Sequence, residues 1–430
     1  MRERTHTVHQ ALKAKEGEEV SLLGWVAHKA TLGAVTFIRL RDGLGYIQLA
    51  IKKGICKEDS LKVLKDVSLE SSIWVKGKVR EDKRAPEGKE LLVLEGEVIA
   101  KADKWPITKD AIKSVSFLYD NRHLSIRGKK ATSVMRIRNE LIKAIMNFFY
   151  ERDFILINTP TLVQSAVEGG ATLFELDYFG KKAYLSQSAQ LYEEAAICSF
   201  GKVFVLQPAF RAEKSKTSKH LTEFWMLEAE QAFTDYLDNM KIQEELIYQI
   251  TKQVEEKCKK ELEILNRNFK APEPPYYRIT YDEARDLALK REINFEWGED
   301  IPTEAERIIS LTFDKPIFIT HFPLSARSFY HLTDEQDKIT YSSDLYAPEG
   351  YGEIATGGQR IHDYNKLLER IEKYNLPLES FKWYLDLRRY GMPPHSGFGL
   401  GIERTLRWIC ALKHIRAASL FPRTMQRLNP

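Results

Sequence analysis

The sequence predicts an α+β chain of two domains, a small five-stranded barrel followed by a larger domain folded around an antiparallel sheet. Three observations carry this expectation. The length of 430 residues exceeds what one ordinary core accommodates. From Glu19 to about Ala100, short β-branched and aromatic runs alternate with turn residues. Beyond residue 128, strands and long amphipathic helices are intermixed without the regular alternation that builds a doubly wound parallel sheet. The expected boundaries are 1–104 for the barrel, 105–127 for a hinge and 128–430 for the larger domain, with an insertion around 263–340.

In the barrel, the runs VSLLGWVAHKA, AVTFIRLRDG, YIQLAIKKG, SIWVKGKVRED and ELLVLEGEVIA are joined at Gly33, Asp42-Gly43, Gly54 and Pro86-Glu87-Gly88. Between the third and fourth runs, Leu61, Val63, Leu64 and Val67 follow a helical period, and a helix at that place is what a five-stranded OB barrel has. In the larger domain, Val134, Ile137, Leu141, Ile145, Phe148 and Phe149 form one stripe of a helix over Ala131 to Arg152. The run ILINTPTLV follows as a strand broken by Pro160, which brings no N–H. A second helical pattern spans Tyr236 to Leu262, and the runs KVFVLQPAFRAE, EFWMLEAEQAF and GEIATGGQR read as strands. The chain closes on a Gly-rich strand-to-helix junction, SGFGLGIERTLRWICAL.

Composition narrows the class. Hydrophobic residues at 43% and charged residues at 29% are globular values. The four cysteines lie at least 60 residues apart, which excludes a Cys-x-x-Cys site and a disulfide framework and fits a reducing, cytoplasmic setting. The N-terminus lacks an apolar core and no apolar run reaches bilayer length, so neither secretion nor a membrane partner is expected. Residues 1–127 hold 24 Lys+Arg against 18 Asp+Glu, whereas residues 128–430 hold 41 against 43. The barrel is therefore the part better suited to a polyanion.

Two stretches carry chemistry. In Phe210-Arg211-Ala212-Glu213, an arginine and a glutamate two apart share a strand face beside the donor-rich loop KSKTSKH, a combination that suits a polyphosphate. In Gly397-Phe398-Gly399-Leu400-Gly401-Ile402-Glu403-Arg404 the glycines let backbone approach a ligand, with Arg404 on the first helical turn. No strand–helix–strand unit follows, which disfavours a dinucleotide fold.

Taken with the Pro160 strand, these elements resemble the three signature motifs of the class II aminoacyl-tRNA synthetases, and the barrel resembles the anticodon-binding domain of the aspartyl, asparaginyl and lysyl subgroup. Phe154 to Leu162 is similar to motif 1, Phe210 to Glu230 to motif 2 and Gly397 to Arg404 to motif 3. The resemblance implies a class II antiparallel-sheet catalytic domain, ATP as substrate, Mg²⁺ as cofactor and a homodimer built through motif 1. It implies that Arg211 bridges the amino-acid carboxylate and the α-phosphate, Glu213 accepts from adenine and Phe224 stacks on it. His220 and Arg404 would hold the outer phosphates beside Gly401, and Asp344 and Glu353 would ligate Mg²⁺. Lys219 stands where the family usually has arginine.

The amino acid is read from the residues around Gln187-Ser188-Ala189-Gln190. Aspartate enzymes carry a lysine three residues after the second glutamine, whereas this chain has Glu193 there, then Glu194, with Glu228 and Glu230 on the EFWMLEAE strand. Negative side chains would repel aspartate and accept from an asparagine amide. Glu168, Gln190, Glu194, Glu228 and Arg360 are the implied amino-acid-binding residues. WYLDLRRYG, PHSGFGLG, LFPRT and DLYAPEGYGE resemble the asparaginyl branch, while GGQRIHDY is closer to the archaeal aspartyl type. The implied partners are L-asparagine and tRNA(Asn). An aspartyl enzyme, whether or not it also charges tRNA(Asn), and a tRNA-independent asparagine-forming relative stay open.

In the barrel, Phe37 and Gln48 match the subgroup positions that stack on and hydrogen-bond to the central anticodon base. Base–aromatic stacking contributes ~1–3 kcal/mol, so Phe37→Ala is expected to raise the KM for tRNA by about tenfold while sparing ATP–pyrophosphate exchange. Equal losses in both assays would mean that the ring only packs the barrel.

Overall fold

Inward and outward residues alternate along the N-terminal strands, and that period closes them into a barrel. The computed structural model describes residues 2–164, 172–214 and 217–430. It divides into two units, Met1–Leu118 and Tyr119–Pro430, so the boundary falls within the stretch read as a hinge. The first unit holds β1 (Glu19–Leu32), β2 (Val35–Arg41), β3 (Tyr46–Lys52), β4 (Ser72–Glu81) and β5 (Lys89–Ala100), closed in the order β1-β2-β3-β5-β4. Ile38, Leu40, Ile47, Leu49, Ile73 and Leu91 fill the interior. Between β3 and β4, helix Glu58–Asp66 adds Leu61 and Leu64 to the same core, which completes the OB architecture. Gly77 sits beside a register shift between β4 and β5, where a Cβ would lie 2.3 Å from the Leu92 carbonyl oxygen.

The second unit is built on an eight-stranded sheet and a three-stranded one. Its strands are β6 (Ile155–Leu156), β7 (Leu162–Val163), β8 (Glu175–Tyr178), β9 (Lys181–Leu185), β10 (Lys202–Phe210), β11 (Glu223–Ala232), β12 (Tyr277–Thr280), β13 (Ile317–Thr320), β14 (Ser342–Ala347), β15 (Gly352–Gln359) and β16 (His395–Gly401). The large sheet runs β12-β13-β14-β15-β16-β11-β10-β6 and is antiparallel except at its edges, where β12 pairs with β13 and β6 with β10 in parallel. The small sheet runs β7-β9-β8. This corrects one expectation: the run around Pro160 is two short strands in different sheets, β6 in the large one and β7 in the small one.

The two faces of the large sheet have different chemistry because side chains alternate along each strand. On β11, Leu227 and Ala229 point to one face and Met226, Glu228 and Glu230 to the other. On β16, Phe398 and Leu400 alternate with Gly397, Gly399 and Gly401. The apolar face is covered by helices Lys129–Tyr150 and Tyr236–Lys257, with Phe149 stacked on Phe204 at 4.7 Å between centroids and edge-on to Phe154 at 4.9 Å. The pattern that reads as one helix to Leu262 breaks at Cys258, where φ is −111° and ψ is 26°, and resumes as Lys259–Ile264. Residues 263–340 supply β12 and β13 to the sheet edge. Helices Tyr281–Leu289 and Thr303–Thr312 pack there through Tyr281, Ala288, Ile309 and Ile319. Among the described residues, no helix is long and apolar enough to cross a membrane.

Candidate active site

The face of the large sheet opposite the helices opens into a cavity of about 290 Å³. Its polar wall depends on glycine. In the β11–β16 register, Glu230 lies opposite Gly397 and Glu228 opposite Gly399. A Cβ at Gly397 would fall 2.0 Å from the Glu230 carboxyl carbon, and one at Gly399 would meet Met226 at 2.7 Å. The motif glycines thus make room for neighbouring side chains as well as for a ligand.

At one end of the cavity are Arg211, Glu213, His220, Phe224, Glu353, Gly401 and Arg404. Arg211 stands just past the end of β10, not within it. Its backbone N–H donates to the Thr222 carbonyl at 3.0 Å, which carries the hairpin one step further, and its guanidinium lies 5.7 Å from the Phe224 ring centroid. Glu213 is 3.9 Å from Arg211 and 4.0 Å from His220. Burial, reinforced by the charges of Arg404 and Lys219, pushes His220 down to about 4, so this ring is neutral at pH 7. Arg404, on helix Ile402–Ile409, donates to Glu353 at 2.6 Å. Burial alone would raise Glu353, but Arg404, Lys219 and Arg211 outweigh it and hold the carboxyl at about 2.

Asp344, the other carboxylate expected to ligate Mg²⁺, is buried and is not a wall residue of the cavity. Arg327 donates to its Oδ2 at 2.6 Å, while the buried Oδ1 has no partner. Burial, with the charges of Glu353 and Asp300, pushes Asp344 up to about 7 against the pull of Arg327. Among the described residues, no three His, Cys, Asp or Glu side chains converge tightly enough to hold a metal by themselves.

At the other end are Gln190, Glu193, Glu228, Glu230 and Arg360. Glu228 accepts from the Ser188 hydroxyl with one oxygen and from the Ala189 N–H at 2.9 Å with the other, the bonding expected of a carboxylate at the entry to helix Gln190–Phe200. Arg360 donates to Glu230 at 2.6 and 3.1 Å. Burial pushes Glu230 up to about 7 despite Arg360. Glu193 is buried with both oxygens unpartnered, and burial beside Glu228 and Glu230 raises its pKa well above the ordinary carboxyl value. Glu194 corrects the sequence reading: it does not line the cavity. It turns the other way, against Tyr384, Arg388 and His395, and reaches the wall only through Gln190. Adjacent positions on one helix point to different sides, which sequence order alone does not reveal. Glu168 lies outside the described residues.

Sequence reasoning missed the contributions of Asp300, Arg327 and Glu306, all from the segment read as an insertion. Asp300 and Arg327 line the cavity. Glu306 pairs with the buried Lys219, and its second oxygen accepts from the Glu353 N–H at 3.3 Å. No motif marks these residues. In the barrel, Phe37 is half-buried between the buried Thr36 and Ile38, so its ring is on the outer surface of β2, outside the core cluster. Gln48 on β3 lies opposite Arg39, two residues along β2 from Phe37, and its Nε2 donates to Glu90 at 2.8 Å.

The chain matches the family described as tRNA synthetases class II (D, K and N) over residues 114–425, and the OB-fold nucleic acid binding domain over residues 20–99. It is 46% identical over 418 residues to the asparagine–tRNA ligase of Pelotomaculum thermopropionicum, covering 96% of this chain and 97% of that one. The chain belongs to the asparagine–tRNA ligase family. The corresponding ligase of Thermococcus kodakarensis is 45% identical over 420 residues, covering 96% and 97%. The asparaginyl-tRNA synthetase from Pyrococcus horikoshii, solved as a complex with asparaginyl-adenylate, superposes with a TM-score of 0.96 at 44% identity, covering 100% of both chains. An aminoacyl-tRNA synthetase of this family therefore has its cavity on the polar face of the class II sheet.

His220 titrates near 4 in the folded protein against 6.5 when unperturbed. Between those values the unfolded chain binds a proton that the native state refuses, so the native state loses stability as the pH falls from 6.5 toward 4. His220→Gln removes this loss, and its stability relative to the unmodified protein should improve by about 1–2 kcal/mol from pH 8 to pH 5, read from urea midpoints. A difference that does not change with pH would contradict a depressed His220.

Proposed function

We propose that this cavity activates L-asparagine with ATP and passes the acyl group to tRNA(Asn). The observation that carries the specificity is the acidic wall: Glu193, Glu228 and Glu230 line the cavity with Arg360, and a glutamate stands where an aspartate enzyme carries lysine. An aspartate carboxylate held about 4 Å from a fixed carboxylate such as that of Glu228 would meet a repulsion of roughly 4 kcal/mol at an effective dielectric near 20. Burial favours the protonated form of Glu193, and a protonated acid complements a carboxamide, since its O–H donates to the amide oxygen and its carbonyl accepts from the amide NH₂. Repulsion of aspartate thus falls to Glu228, and amide complementarity to Glu193.

The asparagine carboxylate attacks the α-phosphorus and pyrophosphate leaves; the terminal ribose hydroxyl of tRNA then attacks the acyl carbon of the adenylate, takes the acyl group and expels AMP. Arg211 is placed to bridge carboxylate and α-phosphate, opposing the charge that grows as the bond forms. Phe224 offers its ring to adenine and Glu213 an acceptor to the adenine amino group. His220 donates to, and Arg404 neutralises, the outer phosphates. The donor set fits Mg²⁺, because the unpartnered Asp344 Oδ1 and the ionised Glu353 offer hard oxygens and this ion completes its shell with phosphates and water. Bound there, it would neutralise phosphate charge. A homodimer through motif 1 agrees with the exposed apolar side chains of Tyr150, Ile155, Leu156 and Leu162. Binding of the tRNA anticodon falls to the barrel face with Phe37 and Gln48.

ATP–pyrophosphate exchange measured side by side should give a kcat/KM for asparagine at least about a hundredfold above that for aspartate, from the charge repulsion. Equal exchange with both amino acids, or exchange with aspartate alone, would overturn the reading.

A further inference from the structure

We infer that Glu194 is a positioning residue that sets the polarity of Gln190, turning the Gln190 carbonyl oxygen toward the ammonium group of the bound amino acid. The inference rests on reading this cavity as the asparagine site, and it concerns a side chain that never touches the substrate. Glu194 Oε2 accepts from Tyr384 Oη at 2.7 Å and Arg388 Nη2 at 2.5 Å, and lies 2.9 Å from His395 Nε2. These donors are themselves fixed. Arg388 donates twice to the Ile361 carbonyl, at 2.8 and 2.9 Å, and His395 Nδ1 lies 2.8 Å from the Pro393 carbonyl. The Arg388, His395 and Glu194 side chains are all completely buried.

With Oε2 crowded by donors, Glu194 offers Oε1, and Gln190 Nε2 takes it at 3.0 Å. Full burial would raise Glu194, but Arg388 and His395 hold it well below the ordinary carboxyl range, so it stays an acceptor only. A primary amide has its donors and its acceptor on opposite sides. Once the Gln190 NH₂ is committed to Glu194, the atom left for the cavity is Oε1, which has no partner among the described residues. An acceptor fixed in advance favours an ammonium group, and the reversed amide would present N–H groups to a cation. The buried donor set thus acts through two side chains to select the charge of the ligand's α-substituent.

A polarity swap tests this. In Glu194→Gln the introduced amide keeps its oxygen against the donors and turns its NH₂ to Gln190, which must reverse. The KM for asparagine in pyrophosphate exchange should rise by about tenfold or more, with the KM for ATP within about twofold. The inhibition constant of 3-carbamoylpropanoate, which is asparagine without its amino group, should stay within about twofold. Gln190→Glu alone sets two carboxyls face to face and should also raise the KM for asparagine. The double variant E194Q/Q190E returns an acceptor to the cavity and should bring the KM back to within about threefold of the starting value. A double variant no better than E194Q, with the analogue weakened in parallel, would overturn the proposal and leave Glu194 a purely structural residue. Absence of asparagine-dependent exchange in the unmodified protein would instead remove the site reading, and the proposal with it.

Discussion

The arrangement of this site depends on two side chains of β11 having room to lie across β16. Glu228 and Glu230 face Gly399 and Gly397 in an antiparallel register; a Cβ at Gly397 would strike the Glu230 carboxyl, and one at Gly399 the Met226 methyl. The same strand that brings Arg404 to the phosphate end therefore permits the acidic wall at the other. Packing, not sequence proximity, links the two ends of one cavity. On the opposite face, Phe398 and Leu400 anchor β16 into the core under the long helices, so the glycines are held in register by their apolar neighbours.

Electrostatics then divides the cavity. Toward the phosphates, Arg211, Arg404 and the buried Lys219 stand among the carboxylates, Glu353 is held ionised and His220 is kept neutral. Toward the amino acid, carboxyls outnumber the single Arg360, and burial drives Glu193 and Glu230 toward their protonated forms. The neighbours Glu193 and Glu194 show how far one step along a helix matters: the first faces the cavity without a partner, the second is locked behind it by Arg388 and His395. The Lys219–Glu306 pair joins the motif 2 loop to the segment before β13, and through the Glu353 N–H to β15.

Much of this was legible in the sequence because local rules and tertiary structure agree. The five alternating runs and the helical interval between the third and fourth became β1 to β5 with helix Glu58–Asp66, since period and turn residues report burial directly. The residues of motifs 2 and 3 came together as their spacing on paired strands requires. What escaped has physical reasons. Pro160 divides two sheets rather than one strand, which depends on which neighbours each half finds. The orientation of Glu194 depends on His395, some 200 residues away, and on Arg388, so no local pattern encodes it. Asp344 is covered by Arg327 from a segment that carries no motif.

Glycine at 397 gives Glu230 and Arg360 their places, and calorimetric binding of asparagine and of ATP to Gly397→Ala tests this. A Cβ at that position would fall 2.0 Å from the Glu230 carboxyl carbon, so the Glu230–Arg360 pair must move. The account predicts that asparagine affinity falls by at least about tenfold while ATP affinity stays within about twofold, which also shows the variant folded. Unchanged asparagine affinity in Gly397→Ala would contradict it.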